Sequence, residues 1–472
     1  MQGEFFMDKT IRQTKTGRLV IRSAHRRRSI RAAIFTAILH TLGATCLLAG
    51  TLQLYAISQG ADDLFLGLLA CSVWVGAPFL LVGISFMRRY GKRRILILWT
   101  GILPAISLAI VVVLPLAGQM GWLSSRRILY LLIAVMLVRS ITDSIGGAGW
   151  FPLLQDNVPS RITGKFFGIF RRYWQCCVLV CTLLLAWFLG KEPGWWKFCV
   201  VFALGEISFI VKIYFLRQLK EKPIENQTTA PPSTWHAIKL VFTHHKMRYF
   251  LGYTLLYNIA AFMCLPFQIK YLKELGYSDG FILFATSMVS LGAIVSLRYW
   301  GRLSDRFGNR AVFNFSHLGI IVAIACWLLV GQNLFSAIFV FVLYGLWSIF
   351  QSANGIAQTR YMMHTVPETD QSAIVVIHSV SFFSIALAPL IGGLCLWLMS
   401  EVQVQSGAIQ MNRYHLLFVF SALLISVPHW MHKHFQVDNE SSAYEVFTIV
   451  TRPLRMLFGS FVSFPTKRNG QK

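Results

Sequence analysis

Twelve runs of predominantly apolar residues, each about 20 residues or longer, are spread along this chain of 472 residues. A helix needs about 20 apolar residues to cross the hydrocarbon core of a membrane. In hydrocarbon each backbone N–H and C=O must find a partner within the structure, so runs of this length have few alternatives to a helix. We place the spans at 32–58, 64–87, 95–117, 127–150, 166–190, 195–216, 248–270, 279–300, 311–330, 334–359, 371–399 and 414–432. The sequence therefore predicts an all-α polytopic membrane protein.

The composition excludes a protein that is wetted over its whole surface. Only 13% of the residues are charged and 55% are hydrophobic, whereas soluble domains carry about 25% charged residues. The formal net charge is +25, and the basic residues form short clusters between the apolar runs. Such clusters are typical of loops that face anionic lipid headgroups, so we expect membrane lipids, and no nucleic acid, as partners.

The distribution of Lys and Arg predicts the orientation. Clusters of basic residues lie before the first span and after the second, fourth, sixth and eighth spans, hence all on one side of the membrane. They are Arg12, Lys15, Arg18, Arg22, Arg26, Arg27, Arg28 and Arg31, then Arg88, Arg89, Lys92, Arg93 and Arg94, then Arg161 and Lys165, then Arg217, Lys220 and Lys222, then Arg302, Arg306 and Arg310. The main exceptions on the opposite side are Arg126 and Arg127. Because positively charged loops remain in the cytoplasm, we expect both termini to be cytoplasmic.

A polar stretch without a spanning pattern divides the chain. We predict a basic N-terminal tail (1–31), a first six-helix bundle (32–216), a central cytoplasmic loop (217–247), a second six-helix bundle (248–432) and a cytoplasmic C-terminal tail (433–472). The C-terminal tail mixes aromatic, aliphatic and arginine residues. It is interpreted either as a short helix on the inner leaflet or as a loosely ordered tail.

The two halves repeat short motifs at similar places. Gly91 follows the second span and Gly308 follows the eighth, and a Val-Pro pair follows both the fourth and the tenth. This is typical of an internally duplicated transporter. The loop from Gly301 to Arg310 contains Gly301, Leu303, Asp305, Arg306, Gly308 and Arg310, and it resembles the Gly-x-Leu-x-Asp-Arg-x-Gly-x-Arg motif of the major facilitator superfamily.

This resemblance implies twelve helices in two six-helix bundles and a bacterial secondary transporter. It also implies that the loop of Gly301, Asp305, Arg306, Gly308 and Arg310 latches the two halves together; an ordinary hydrophilic turn is the alternative. The copy in the first half departs from the motif, because Arg88 replaces the Asp and Ile84 replaces the leading Gly. A first-half latch would therefore need another partner.

Arg139 and Asp143 are the first candidates for function. They lie four residues apart in the fourth span, hence on one helical face, and a charge near the membrane centre costs about 2.5–3.5 kcal/mol on insertion scales. A carboxylate beside a fixed cation can exchange its proton as the pair opens and closes, so we expect proton coupling here. Arg139 also resembles the fourth-helix arginine of proton-coupled family members. The alternative is a static ion pair that holds the bundle together.

Further candidates for solute contact come from helices that the resemblance places around a central cavity. The tenth span carries a stripe of polar and aromatic residues spaced by three or four, and further spans add imidazole, amide and hydroxyl groups. The candidates are His40, Gln53, Tyr257, Asn258, Tyr344, Trp347, Gln351, Asn354 and His378. Together they suit an organic solute with several hydrogen-bonding groups. Each one has an alternative role in hydrogen bonding between helices.

These features predict a secondary active transporter that moves a small organic solute, with protons, by alternating access. The alternatives are an uncoupled facilitator, a lipid or lysolipid transporter, and a non-transporting membrane sensor or partner protein. We find no phosphate-binding loop and no catalytic or metal-ligand motif, and therefore expect neither enzyme activity nor a cofactor nor a metal. We expect a monomer in the bacterial inner membrane.

Overall fold

A computed structural model describes residues 11–13, 19–21, 24–48, 50–158, 163–221, 234–366, 372–400, 404–406 and 409–435 of the chain. Two short antiparallel hairpins lie outside the spans, one formed by β1 (Ile11–Gln13) with β2 (Leu19–Ile21) and one by β3 (Val404–Ser406) with β4 (Ile409–Met411). The rest of the described chain is almost entirely helical.

The helices are α1 (Ala24–Leu47), α2 (Gly50–Ser58), α3 (Asp63–Ser72), α4 (Leu80–Tyr90), α5 (Lys92–Ile97), α6 (Leu103–Gln119), α7 (Ser125–Gly147), α8 (Trp150–Asn157), α9 (Thr163–Leu189), α10 (Trp195–Arg217), α11 (Thr234–Thr243), α12 (His245–Phe262), α13 (Leu265–Glu274), α14 (Asp279–Phe307), α15 (Asn309–Ala325), α16 (Leu334–Thr365), α17 (Ser372–Leu398) and α18 (Arg413–Met431). Short 3-10 helices occupy Ala77–Phe79, Cys326–Leu329 and His432–His434, and a π-helical turn occupies Leu98–Ile102.

Within the described residues, twelve helical stretches are long and apolar enough to cross a membrane. These spans, numbered 1 to 12, are Arg28–Ser58, Asp63–Tyr90, Lys92–Gln119, Ser125–Asn157, Ile169–Leu189, Trp195–Arg217, His245–Glu274, Asp279–Ser304, Asn309–Leu329, Leu334–Thr365, Ala373–Leu398 and Arg413–His434. The predicted count and fold class are confirmed. Part of the predicted central loop, 217–247, forms the short helix α11, and the predicted C-terminal tail beyond Phe435 lies outside the described residues.

The spans form two bundles of six. In the first half α1 packs against α9 and α10, and α6 packs against α7 and α10; in the second half α16 packs against α14 and α15, and α12 packs against α17 and α18. The halves meet mainly along two pairs of helices, α3 with α17 and α9 with α14, and α13 also packs against α2 and α3. Large apolar side chains on the outer surface, such as Trp187 and Leu334, are left for the lipid.

Span 2 approaches its neighbours through glycines. A Cβ atom at Gly76 would overlap the carbonyl oxygen of Ser140 in span 4, and one at Gly67 would lie 2.6 Å from the carbonyl oxygen of Pro389 in span 11. The Gly76 N–H also donates to Ser140 Oγ at 2.9 Å. Since backbone atoms cannot rotate away as a side chain can, these contacts require glycine.

We predict that Gly76→Ala lowers the thermal stability of the purified protein, because an added methyl group forces spans 2 and 4 apart. Overpacking of this kind costs about 1–3 kcal/mol. Gly355→Ala is the matched control, since a Cβ at that position meets no atom within 4 Å. Unfolding in detergent, followed by fluorescence-detected size exclusion, measures both. Equal midpoints for the two variants would show that the contact is not restrictive.

Candidate functional site

A cavity of about 360 Å³ lies between the two halves. Spans 1 and 2 line it from the first half and spans 7 and 11 from the second. The lining residues are Leu48, Leu52, Gln53, Leu69, Ala70, Val73, Trp74, Phe262, Leu265, Pro266, Phe382, Ile385 and Pro389. Trp74 and Phe382 stack across the interface with ring centroids 6.1 Å apart. The wall is therefore mainly aliphatic and aromatic.

Helix breaks bound this cavity. In span 7, α12 ends at Phe262 and α13 begins at Leu265, followed by Pro266. In span 1, α1 ends at Leu47 and α2 begins at Gly50, and Ala49 between them lies outside the described residues. Proline has no N–H to donate and its ring clashes with a preceding turn, so it breaks the helix. We did not predict these breaks, although Pro266 gave a signal for the one in span 7. Interrupted helices at corresponding places in two halves are typical of solute sites in transporters.

Gln53 is the one predicted solute candidate that lines this cavity. Its Oε1 atom is buried and has no hydrogen-bond partner in the part of the chain that the structure describes. A buried amide oxygen without a partner costs about 1–3 kcal/mol, so a donor from a bound solute or from water would be favourable here. The Gln53 amide is thus a hydrogen-bonding group in a cavity wall that is otherwise mainly apolar.

Arg139 and Asp143 form an ion pair inside the first half. Arg139 Nη2 lies 2.8 Å from Asp143 Oδ2; the arginine side chain is 3% exposed and the aspartate side chain 23% exposed. Lys212 of span 6 extends this pair, since it donates to the Thr100 carbonyl oxygen at 2.7 Å and lies 3.4 Å from His40 Nδ1. Asp143 interacts electrostatically with both Lys212 and His40.

The resulting cluster of His40, Arg139, Asp143 and Lys212 contains two basic side chains for one carboxylate. Sequence analysis identified the first three and missed Lys212, although a lysine near the end of an apolar run was visible. Buried charges are stable only when they are paired and hydrogen-bonded. Loss of the Asp143 charge would leave Arg139 and Lys212 close together without their counter-ion.

Several predicted candidates lie within the second half. Tyr257 donates a hydrogen bond to Gln351 Oε1, which joins spans 7 and 10. Asn258 Nδ2 donates to Ser381 Oγ at 3.0 Å and to Ser384 Oγ at 3.0 Å, which joins spans 7 and 11. These contacts tie helices together next to the interface between the halves.

The tenth-span stripe is not a single surface. Tyr344 packs edge-on against Trp327, and Trp347 packs edge-on against the cavity residue Phe262 at 5.6 Å. Tyr344 Oη and Trp347 Nε1 are buried without a hydrogen-bond partner among the described residues. Asn354, in contrast, accepts a hydrogen bond from Tyr253 in the interior of the second half. His378 is exposed and stacks on Phe382.

Polar contacts join the halves at one end of the molecule, which we call the Asp63 end. Asp63 of span 2 pairs with Lys270 of span 7 at 2.8 Å and with Arg413 of span 12 at 3.1 Å. The Tyr414 hydroxyl lies 3.2 Å from Asp63, and Glu274 accepts from both Tyr414 and Arg413. These five residues form the Asp63 network, which sequence analysis did not identify because its members are distant in the chain.

The Gly190 carbonyl oxygen accepts from the Gly280 N–H at 2.7 Å between spans 5 and 8 at the same end. Closer to the middle of the interface, the buried Ser379 Oγ donates to the Ala77 carbonyl oxygen at 2.9 Å. Asp63 itself is 5% exposed. The Asp63 end therefore holds the two halves together by buried, charge-assisted hydrogen bonds.

The opposite end, which we call the Lys92 end, carries the repeated loop motifs. Gly91 and Gly308 have φ angles of 92° and 81° and each precedes the first residue of a helix. In the first half, Glu221 caps α5 by accepting from the N–H groups of Lys92 and Arg93. Lys92 also pairs with Asp156 at 2.8 Å. The first-half loop lacks the acidic residue of the motif, but Asp156 of the first half and Glu221, just after it, contact this loop instead.

The second-half motif is described only in part. Gly301 lies in α14 and Arg310 is exposed in α15, with Gly308 between these helices. Ser304 Oγ donates to Asn309 Oδ1 at 2.9 Å beneath the turn. The side chains of Asp305 and Arg306 lie outside the described residues. The latch role of this loop stays a prediction.

Solved structures of transporters share this fold. A variant of the nucleoside transporter NupG superposes with a TM-score of 0.70 at 12% identity, over 87% of this chain and all of that one. A D-xylose-proton symporter superposes with a TM-score of 0.64 at 13% identity, over 85% and 97%. The xylose transporter XylE from E. coli, in a partially occluded inward-open conformation, gives 0.61 at 13% identity, over 88% and 100%.

Comparison at the level of sequence gives fewer matches, but it identifies the family. No curated protein has a significant sequence match to this chain. The model of the Major Facilitator Superfamily matches residues 33–389, with a second match over 254–427. The matched region covers nearly all of both bundles and contains every residue of the cavity wall. This integral membrane protein, with its transporter fold, therefore belongs to the Major Facilitator Superfamily.

Proposed function

We propose that this protein is a secondary active transporter that moves a small organic solute across the membrane by alternating access. The observation that carries the proposal is the cavity between the two halves, bounded by breaks in spans 1 and 7. A site in this position changes its access when one half rocks against the other. The Asp63 network supplies polar contacts that can form and break at one end during that motion.

The distribution of basic residues supports an orientation with the Asp63 end outside and the Lys92 end in the cytoplasm. Arg88, Arg89, Lys92, Arg93 and Arg94 cluster at the Lys92 end, and positively charged loops favour the cytoplasmic side. Both termini would then be cytoplasmic, in the inner membrane of a bacterium. Residues 32–216 and 248–432 would act as the two moving halves of a monomer, and the Gly301–Arg310 loop would latch them from inside.

The chemistry of the cavity supports a solute with a flat or apolar part and at least one hydrogen-bonding group. Trp74, Phe262 and Phe382 offer ring surfaces, and Gln53 offers an amide. The fold neighbours transport nucleosides and xylose, so nucleosides and pentoses are the first solutes to test. The largely apolar wall makes a lysolipid the second candidate. Uncoupled facilitation and a non-transporting sensor role are the two competing functions.

We propose that Asp143 couples transport to protons. It is the more exposed member of its ion pair with Arg139, and Lys212 and His40 lie in the same cluster. A proton on Asp143 would weaken its hold on Arg139 and leave two basic groups facing each other. The arrangement of spans 1, 4 and 6 would then depend on the protonation state, which is the requirement for coupling.

We expect a nucleoside, a pentose or a lysolipid to raise the unfolding temperature of the purified protein. A ligand present at about 100 times its dissociation constant stabilises the folded state by roughly 2.7 kcal/mol. The Gln53→Ala variant should lose the shift, because the cavity amide is removed. Gln332→Ala, in a loop next to Gly276 and away from the cavity, should keep it. A shift that survives Gln53→Ala unchanged would place the ligand outside this cavity.

We expect Asp143→Asn to abolish the response of solute uptake to a pH gradient in proteoliposomes. The amide cannot exchange a proton, so the ratio of uptake with and without the gradient should fall to about 1. Glu206→Gln is the matched control, since Glu206 is also a buried carboxyl group in the first half. If the wild-type protein ignores the gradient while transporting, the protein is an uncoupled facilitator; if only Glu206→Gln loses the response, the coupling residue has been misassigned.

We expect Asp63→Asn to open the Asp63 end. The variant leaves the buried Lys270 without its carboxylate and leaves Arg413 with Glu274 alone. Breaking a buried ion pair costs about 3–5 kcal/mol, enough to shift an open–closed equilibrium by about a hundredfold or more. In Gln53→Cys protein, labelling of the introduced cysteine by a membrane-impermeant maleimide from the Asp63 side should increase, as measured by mass spectrometry. Lys273→Gln is the control, because Lys273 pairs with Asp279 within the second half. Labelling that is fixed in every variant and with every solute would contradict alternating access and favour the sensor role.

A further inference from the structure

Three histidines meet in the interior of the second half, apart from the cavity and from Asp143. His317 lies in α15 of span 9, while His429 and His432 lie one turn apart at the end of span 12. One ring nitrogen from each residue lies within 4.8 Å of the corresponding nitrogens of the other two. His317 and His432 are completely buried, and His429 is half-buried. The group is therefore enclosed by protein, and His429 is its most exposed member.

Hydrogen bonds determine which nitrogen of each buried ring carries the proton. The Tyr253 hydroxyl donates its hydrogen to Asn354 Oδ1 at 2.9 Å. It can therefore only accept in its 2.8 Å hydrogen bond with His317, so His317 Nε2 carries a hydrogen and donates it. His432 Nε2 lies 2.9 Å from Asn314 Oδ1, an acceptor, so this Nε2 also carries a hydrogen. A neutral imidazole with hydrogen on Nε2 has a lone pair on Nδ1. In these tautomers Nδ1 is the nitrogen of each buried ring that is left to accept a donor or bind a cation.

These lone pairs have no partner inside the protein. Nδ1 of His317, of His429 and of His432 is buried and forms no hydrogen bond of normal geometry within the described chain, although backbone groups of Pro428 and His429 lie close to the His432 ring. Three such atoms in one group are unusual, because buried polar atoms are nearly always satisfied and an orphan costs about 1–3 kcal/mol. A bound cation would satisfy all three at once, whereas three neighbouring protonated imidazoles would repel one another.

We propose that His317, His429 and His432 bind a divalent transition-metal ion of the zinc type. Imidazole is a preferred ligand of zinc, and three histidines with an open fourth position for water are a known zinc arrangement. Nitrogens around a tetrahedral zinc ion lie roughly 3.3 Å apart at Zn–N distances of about 2.0–2.1 Å. The three ligand nitrogens lie within 4.8 Å of one another, so they need to approach by at most about 1.5 Å.

Tyr253 and Asn314 act as positioning residues in this site. Metal-bound histidines usually donate their second ring N–H to a fixed acceptor, which holds the ring and its tautomer. Tyr253 Oη does this for His317 and Asn314 Oδ1 does it for His432. Because Tyr253 belongs to span 7 and Asn354 to span 10, the metal would connect spans 9 and 12 directly and spans 7 and 10 through hydrogen bonds.

Titration of the purified protein with Co²⁺ tests the site, since a tetrahedral Co²⁺ ion has visible absorption bands and no solute is needed. The protein is purified without a histidine tag and stripped with a chelator. We expect one equivalent of Co²⁺ to develop these bands, Zn²⁺ to displace it, and Zn²⁺ to raise the unfolding temperature. His429→Ala and His429→Gln should lose the bands, and Tyr253→Phe should weaken Co²⁺ binding by about 10- to 100-fold.

His434→Ala is the matched control, because His434 lies at the same end of span 12 but is exposed. It should bind Co²⁺ as the wild-type protein does. Absence of the bands in the folded wild-type protein would overturn the proposal and leave water as the partner of the three nitrogens. Bands that persist unchanged in both His429 variants would overturn it as well, by placing the metal elsewhere.

Discussion

A backbone polar group in hydrocarbon must find its hydrogen bond within the protein, and this requirement shapes the whole molecule. It makes each of the twelve spans helical and restricts irregular backbone to places that the bundle encloses. The breaks in spans 1 and 7 obey this rule, because they lie between the halves and border the cavity. The rule thus links architecture to function. Where a helix is interrupted inside the membrane, the backbone N–H and C=O groups that lose their helical hydrogen bonds need partners from the protein or from a bound solute.

Charged side chains inside the membrane also need partners, and a buried charge without one costs more free energy than an unpaired backbone group. Arg139, Asp143 and Lys212 lie inside the first half, and each interacts with another charged group, a carbonyl oxygen or an imidazole. At the Asp63 end, one carboxylate meets two cations supplied by the second half. Removal of one member leaves an uncompensated charge in a medium of low dielectric constant. In the proposed mechanism, the buried cluster of the first half links protonation to the positions of its helices. The ion pairs of the Asp63 network hold the two halves together while they are buried, and they can separate when both charged groups become hydrated.

The interiors of the two halves differ in their polar groups. The first half encloses the charged cluster that we associate with protons. Inside the second half, hydroxyl, amide and imidazole groups connect spans 7, 9, 10, 11 and 12, while its ion-paired residues lie at the Asp63 end. The three histidines belong to the polar groups of the second half, where a bound metal ion would link spans 9 and 12.

The sequence by itself determined the number of spans, the helical class and the family, because apolar length, the alternation of basic loops and the Gly301–Arg310 motif are local properties of the chain. It also identified the Arg139–Asp143 pair, whose members lie one helical turn apart. Only the tertiary structure decided which distant residues meet: Lys212 with His40, Asp63 with Lys270 and Arg413, and His317 with His429 and His432. It also separated Asn354 from the cavity wall, because helix rotation is set by packing against neighbouring spans and not by spacing along one helix.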